Sequence, residues 1–300
     1  MTQSAVTIGN FDGVHRGHQK LIQRVCEIAR ENDWHPLVLT FEPHPAKIVA
    51  PAKAPKLLTT PAQRARLMCG HGIEEVVVLP FDHEMARLTP EQFVENVLVN
   101  SLHARAVVVG DNFRFGHRAA GDVNALRQFG EKYGFSTEVV QPVALRNGIV
   151  SSSAVRALIA EGKVSRACRM LGRPYLIEGD IVSGHGIGSK QTVPTLNLQT
   201  KAEVLPARGV YVTRTTDGHD AVRRWRSITN IGNRPTFGGG DLSIETFLLD
   251  PLTGDAPRQI RLEFLTRVRD ERKFENAEAL KAQILRDVTH AQEYFRRTHQ

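Results

Sequence analysis

A chain of 300 residues exceeds what one ordinary core carries and points to two domains of roughly 150 residues each. With 41% hydrophobic and 24% charged residues, and its 24 Gly and 15 Pro dispersed, it lies in the globular range and excludes a disordered or collagen-like protein. The formal net charge of +7 favours an anionic partner but leaves nucleic acid, a membrane surface and phosphate-bearing small molecules open. Cys26, Cys69 and Cys168 are odd in number, widely separated and without metal-ligand spacing, so a reducing cytoplasm is expected rather than a disulfide framework or a zinc site. Met1 to Ile8 runs into a strand with no basic segment before it, and no stretch approaches the roughly 18 apolar residues of a membrane span. The expectation is a soluble, untargeted protein.

From Ala5 to Leu158, short apolar runs alternate with longer amphipathic stretches, the pattern of strand-helix repeats on a parallel sheet. Strands are predicted at Ala5–Ile8, Pro36–Phe41, Val76–Leu79 and Ala106–Val109, all nearly uniformly apolar, as strands buried on both faces should be. Helices are predicted at His18–Arg30, at Pro61–Cys69 and Pro90–Leu102, which open with Pro, and at Val123–Tyr133 and Ser151–Ala160. After Gly172-Arg173-Pro174 the rhythm changes to period-two runs broken by Gly, Asp and Asn, which places a boundary between domains 1–172 and 173–300. Strands at Tyr175–Val182, Val210–Thr215, Arg223–Ile231, Ser243–Leu249 and Gln259–Leu265 suggest a small antiparallel barrel or sandwich. A helix over Ala277–Tyr294 sets Leu280, Ile284, Val288 and Ala291 on one stripe to pack against it.

Directly after the first strand comes Gly9-Asn10-Phe11-Asp12-Gly13-Val14-His15-Arg16-Gly17-His18, opening into a helix, where a parallel sheet binds ligands. Glycines let the backbone turn tightly and approach a phosphate, and the helix N-terminus behind them offers free N–H groups. His15 and His18 stand one helical turn apart, so both imidazoles can face one phosphate chain. The string resembles the first signature of the nucleotidyltransferase superfamily in its FMN adenylyltransferase form. Val150-Ser151-Ser152-Ser153-Ala154-Val155-Arg156 resembles that family's I-S-S-T-x-I-R element, with Ser153 where Thr is usual. Read alone it is a helix N-cap; beside the first motif it supplies hydroxyls and a forked guanidinium for a triphosphate.

Two further segments follow strand ends. Phe41-Glu42-Pro43-His44-Pro45 resembles the family's T-F-x-P-H-P, and Gly110-Asp111-Asn112-Phe113-Arg114-Phe115-Gly116 resembles G-x-D-F-x-F-G with Asn112 in place of Asp. Aromatic rings could stack on an isoalloxazine and Arg114 could approach the FMN phosphate, although loop aromatics tucked onto the sheet edge would read alike. By this resemblance ATP is held by Gly9, Phe11, Asp12, His15, His18, Ser152, Ser153 and Arg156, with His15, His18 and Arg156 catalytic. Flavin is held by Phe41, Pro43, His44, Asn112, Phe113, Arg114 and Phe115.

In the second half, Ser183 to Lys190 is Gly-rich but lacks P-loop spacing, and an ordinary hairpin loop would look the same. It leads into Pro194-Thr195-Leu196-Asn197, which resembles the P-T-x-N motif of riboflavin kinases. That resemblance implies ATP contacts from Gly184, Gly186, Gly188, Lys190, Thr195 and Asn197, with Thr195 and Asn197 as hard oxygen ligands of Mg²⁺. Asn230-Ile231-Gly232-Asn233-Arg234-Pro235-Thr236-Phe237 and Ile244-Glu245-Thr246-Phe247-Leu248-Leu249-Asp250 resemble N-I-G-x-R-P-T-F and E-T/V-H-L-L-D, which makes Glu245 the base for the riboflavin hydroxyl. Arg269-Asp270-Glu271-Arg272-Lys273-Phe274 resembles R-x-E-x-K-F near the flavin, implicating Arg269, Glu271 and Phe274; a solvated charge run is the plain alternative. Departures stand at Gly188–Val193, where G-R-T-I-G-F is usual, and at Phe247, where the family has His.

Across both halves the chain resembles the prokaryotic bifunctional riboflavin kinase/FMN adenylyltransferase family. The resemblance implies a Rossmann-like nucleotidyltransferase domain, then a six-stranded β-barrel kinase domain with a C-terminal helix. It further implies Mg²⁺, ATP as co-substrate, and riboflavin, FMN and FAD as substrates and products. No nucleic-acid or membrane partner is expected, and oligomeric state stays open. Two alternatives carry separate tests: a chain active only in its adenylyl half would make FAD from FMN but nothing from riboflavin, and a nucleic-acid binder would show salt-sensitive affinity.

Overall fold

The computed structural model describes residues 3–146, 148–182, 195–233 and 242–298. Contacts divide the chain into two compact units, Met1–Ser152 and Ser153–Gln300.

The first unit is built on a parallel sheet of β1 (Ser4–Ile8), β2 (His35–Glu42), β3 (Glu75–Pro80), β4 (Ala104–Gly110) and β5 (Ser136–Val140), in the order β3-β2-β1-β4-β5. Period-two side-chain alternation gives the sheet two apolar faces. Val6, Ile8, Leu37, Leu39, Val107 and Val109 face a helix that begins as α4 (Pro90–Phe93) and continues in π-helical form over Val94–Ser101; α5 (Val123–Tyr133) contributes Leu126 to the same layer. Ala5, Val38, Ala106 and Val108 face α1 (Arg16–Asn32), through Ile22, Val25 and Ile28, and α3 (Pro61–Cys69), through Met68. A short α2 (Pro45–Val49) follows β2. Threonine capping boxes start α3 and α4, Thr60 with Gln63 and Thr89 with Gln92, each ahead of a Pro whose missing N–H has no helical partner there.

Two features depart from the sequence expectation. Val76–Leu79 was expected to be buried on both faces, yet β3 is the sheet edge and Val78 is exposed. The strand β5 opens Ser136-Thr137-Glu138, polar residues that a search for apolar runs passes over. A small hairpin of β6 (Ala144–Leu145) and β7 (Gly148–Ile149) ends this part of the chain.

In the second unit come α6 (Ser152–Ala160) and α7 (Val164–Leu171), the latter packed on the barrel through Val164, Ala167, Met170 and Leu171. The barrel is formed by β8 (Tyr175–Val182), β9 (Thr195–Thr200), β10 (Gly209–Asp217), β11 (Arg224–Asn233), β12 (Leu242–Leu248) and β13 (Gln259–Arg269), closed in the order β10-β11-β12-β9-β8-β13. Closure leaves none of the six described strands at an edge. Its interior combines Tyr175, Ile177, Leu262 and Phe264 with a set of buried hydroxyls. Thr213 bonds Ser227 and Thr229 at 2.8 Å, Ser227 bonds Thr215 at 2.8 Å, and Thr229 bonds Thr246 at 3.0 Å. Each hydroxyl is therefore satisfied by another, as burial of polar groups requires. The closing helix, α8 (Ala277–Thr298), covers Val210, Val212 and Ile228 with Ala291 and Phe295, whereas Leu280 and Ile284 of the expected stripe are exposed, because the first turns bury Gln283 and Asp287 instead.

The expected choice between barrel and sandwich is resolved as a barrel, and within it β8 and β9 approach closely at Gly179. A Cβ there would stand 2.0 Å from the carbonyl oxygen of Gln199 on the neighbouring strand. Gly179→Ala is expected to destabilise the barrel by about 3 kcal/mol through overpacking against backbone. Urea unfolding checks this, and a shift below about 0.5 kcal/mol would contradict it.

Candidate functional site

In the sheet order, β2 and β3 lie on one side of β1 while β4 and β5 lie on the other, so the connections leaving β1 and β4 part at the strands' C-terminal ends. Ligands bind at such a switch point. The turn from β1 into α1 occupies it with an unusual backbone: Phe11, Gly13 and Val14 have φ of 48°, 79° and 39°. Left-handed backbone at two non-Gly residues is costly and persists only where surroundings impose it. Here burial imposes it, since Phe11 and Val14 are sealed in the core. The buried Asp12 carboxylate fixes the rest: it accepts from Leu58 N at 2.9 Å, Thr59 N at 3.1 Å and Thr59 Oγ1 at 3.2 Å, while Gly13 N donates to Thr59 Oγ1 at 3.1 Å. Ser152 Oγ donates to Asp12 O at 2.8 Å and secures the turn from another side.

His15 caps α1, its Nδ1 accepting from His18 N at 3.3 Å. The two rings stack with centroids 3.6 Å apart and 16° between planes, and Phe11 meets His18 edge-on at 5.1 Å. Gly17 makes room for this, since a Cβ there would lie 3.1 Å from His15 Cε1. His18 is partly open to solvent, but its Nδ1 is shut off and finds no hydrogen-bond partner among the described residues. Burial first, then the adjoining His15 and the Arg64 guanidinium, hold the His18 pKa well below 6.5.

The segments expected to meet flavin begin in the last residues of β2 and β4 and run on past them. Phe41 contacts Phe81 edge-on at 5.5 Å and Phe93 at 6.4 Å. His44 Nδ1 accepts from Ala46 N at 3.1 Å and starts α2, after a cis Glu42–Pro43 bond. Phe113 and Phe115 stack at 5.5 Å; Phe115 is the buried member, packed on Phe93, and Phe113 is only partly buried. Arg114 pairs with Asp122 at 3.3 Å, and the Asn112 amide oxygen lies beside Gly110. In the second unit Arg156 Nη1 donates to Ser153 Oγ at 3.4 Å within α6.

On the barrel, strand register does the assembling. Glu245 of β12 stands directly opposite Asn197 of β9 and Asn230 of β11, and Thr195 stands opposite Phe247. Facing residues in an antiparallel ladder point to one side with Cβ atoms about 5 Å apart. Leu196, Leu198 and Thr246 are buried whereas Thr195 and Glu245 are exposed, so the polar group lies on the outer surface. Glu271 reaches over Gly232, where a Cβ would come within 2.4 Å of Glu271 Oε1 and 3.2 Å of Asn230 Nδ2. Arg269 is engaged with the buried Asp287 of α8, Nη2 to Oδ2 at 2.7 Å, and Phe274 lies beneath the Arg269 and Arg272 guanidiniums at 5.6 and 5.0 Å. Gly184, Gly186, Gly188, Lys190 and residues 234–237 lie outside the described residues.

A family model for FAD synthetase matches residues 1–154, and one for riboflavin kinase matches 171–295. The bifunctional riboflavin kinase/FMN adenylyltransferase of Escherichia coli (strain K12) is 36% identical over 290 residues, covering 97% of this chain and 92% of that one. The chain belongs to the bifunctional riboflavin kinase/FMN adenylyltransferase family. The like-named protein of Pseudomonas fluorescens is 38% identical over 288 residues, 95% of this chain and 91% of that one. A crystal structure described as a macrolide-efflux protein from Streptococcus pneumoniae superimposes with a TM-score of 0.86 at 27% identity, over 97% of this chain and 95% of that one. Among the described residues no helix is long and apolar enough to cross a membrane.

Sequence reasoning missed three contributors to the first candidate site: Leu58 and Thr59, which donate to Asp12, and Arg64. They lie in and before α3, which reads as a plain capped helix, and only tertiary contact distinguishes them. The lowered His18 pKa has a consequence for stability. Between that pKa and 6.5 the unfolded chain binds a proton that the folded one does not, so the contribution of neutral His18 is whole above pH 6.5 and is lost as pH falls below it. Thermal melts from about pH 7.5 to about pH 5 are expected to fall more steeply for the native protein than for His18→Gln. Parallel curves would contradict the shift.

Proposed function

We infer that the protein makes FMN from riboflavin and then FAD from FMN, with ATP consumed in both steps. The observation that carries the reading is the barrel register, which sets Glu245 opposite Asn197 and, two pairs along on the same face, Thr195.

In the kinase reaction Glu245 receives the proton of the riboflavin 5′-hydroxyl as that oxygen bonds to the γ-phosphorus and the bond to ADP breaks. Thr195 and Asn197 lie on one outward face of β9 with oxygens suited to a hard cation, and they are proposed to hold Mg²⁺. Mg²⁺ would neutralise charge on the transferring phosphates. Glu271, Phe274 and the segment from Arg269 are proposed to border the flavin; the Arg269 fork, already paired with Asp287, would fix that border through α8.

In the adenylyl reaction a phosphate oxygen of FMN bonds to the α-phosphorus of ATP while the bond to pyrophosphate breaks. The attacking oxygen is already anionic, so no protein base is required, and the site acts by alignment and by donors aimed at accumulating charge. His15 and His18 are proposed to flank the phosphate chain on the turn after β1, with Ser152, Ser153 and Arg156 as further donors. In the free protein His18 is neutral, so it meets the phosphates as an N–H donor, and their negative charge raises its pKa once bound. Phe41, Pro43, His44, Asn112, Phe113 and Arg114 are proposed to receive FMN, Phe115 supporting Phe113 from the core. A cytoplasmic location is likewise proposed.

Purified protein supplied with riboflavin, ATP and Mg²⁺ tests both halves. Glu245→Gln is expected to lower FMN production by on the order of 10²–10⁴ while still converting supplied FMN to FAD. His18→Ala is expected to leave FMN production intact and lower FAD production by on the order of 10². If Glu245→Gln still makes FMN at the native rate, the assignment of the base is wrong.

A further inference from the structure

Arg64 is an arginine sealed inside the first unit, 1% exposed, on a helix that reads from sequence as ordinary. A buried charge persists where it is paired and hydrogen-bonded. Both partners of Arg64 belong to segments assigned to substrate. Nη1 donates to Asn10 O at 2.8 Å, inside the turn after β1. Nη2 donates to Glu42 Oε2 at 3.2 Å, and Glu42 ends β2 directly before Pro43 and His44. Glu42 is held in turn by its backbone, its carbonyl accepting from Phe81 N at 3.1 Å. A planar guanidinium can satisfy two acceptors on separate loops at fixed angles, which a single ammonium does not. The guanidinium also lies near enough to His18 to contribute to its lowered pKa.

We propose that Arg64 is a positioning residue for adenylyl transfer, its fork tying the nucleotide-side turn at Asn10 to the flavin-side segment that begins at Glu42, and so fixing the distance between the two bound substrates. The proposal rests on the reading of those segments as ATP and FMN sides. It differs from a purely structural role in what it predicts: the loss falls on kcat for one reaction and leaves the other alone.

The test uses the full chain, with FAD formation from FMN and ATP and FMN formation from riboflavin and ATP measured on the same preparation. Arg64→Met is expected to lower kcat for FAD formation on the order of 100-fold, as misplacement of reacting groups by about 1 Å does, with KM for ATP changed less than about threefold and kinase activity unchanged. Arg64→Lys, which keeps the charge without the fork, is expected to recover less than about a tenth of the native rate. Glu42→Ala should mimic Arg64→Met, and the double variant should be no slower than either single one, since both remove one link. FAD formation by Arg64→Met within about threefold of native, full rescue by Lys, or parallel loss of kinase activity would each overturn the proposal. Should the Met variant yield no folded protein, Arg64→Lys decides by the same criteria. A native protein that makes no FAD from FMN would refute the functional reading itself, an outcome separate from all of these.

Discussion

An enzyme that moves phosphoryl groups must hold a polyphosphate with donors already in place, because donors that reorganise on binding return little of their energy to the transition state. At the site proposed in the first unit, that requirement falls on one buried carboxylate. Asp12 receives the Leu58 and Thr59 amides and the Thr59 hydroxyl, and so locks a turn whose backbone at Phe11 and Val14 no free peptide would favour. The stacking of His15 on His18, the cap on α1 and the space left by Gly17 all follow from that locked path. Asp12 therefore acts as an internal anchor of the turn, since its oxygens are directed at the chain rather than outward.

The barrel meets the same requirement differently. Its polar group lies on strands, where position is set by ladder register rather than by a loop anchor, and a slip of β12 by one residue would turn Glu245 inward, away from Asn197. The buried hydroxyl network behind them resists such a slip, because Thr246 would turn outward and its hydrogen bond to Thr229 would be lost. Two supports of unlike kind thus hold the two proposed polyphosphate sites in one polypeptide.

Much of the architecture was legible because its causes are local. Apolar runs ending in a glycine turn place β1 and its loop, Thr-Pro pairs start α3 and α4, and the change to period-two runs after Gly172 announces the barrel. What escaped has causes that are not local. The strand β5 is polar in sequence and is held by pairing with β4. Exposure of β3 follows from strand order, which no single segment encodes. Arg64 looks like one more charge on a helix until Asn10 and Glu42 are brought to it. The basic excess also reads differently in three dimensions, since Arg24, Arg214, Arg223, Arg226, Arg261 and Arg269 are all engaged with carboxylates. Residue types with chemistry were visible in sequence; the supports that aim them were not.

The central claim is that a single chain engages ATP twice, at different phosphorus atoms. Label transfer from ATP tests it most directly, with riboflavin as the sole flavin supplied and FAD isolated after incubation with either γ-labelled or α-labelled nucleotide. The account predicts label in FAD from both, the γ-phosphate in the half derived from riboflavin and the α-phosphate in the adenylyl half. Label from neither nucleotide, or from one alone, would contradict it.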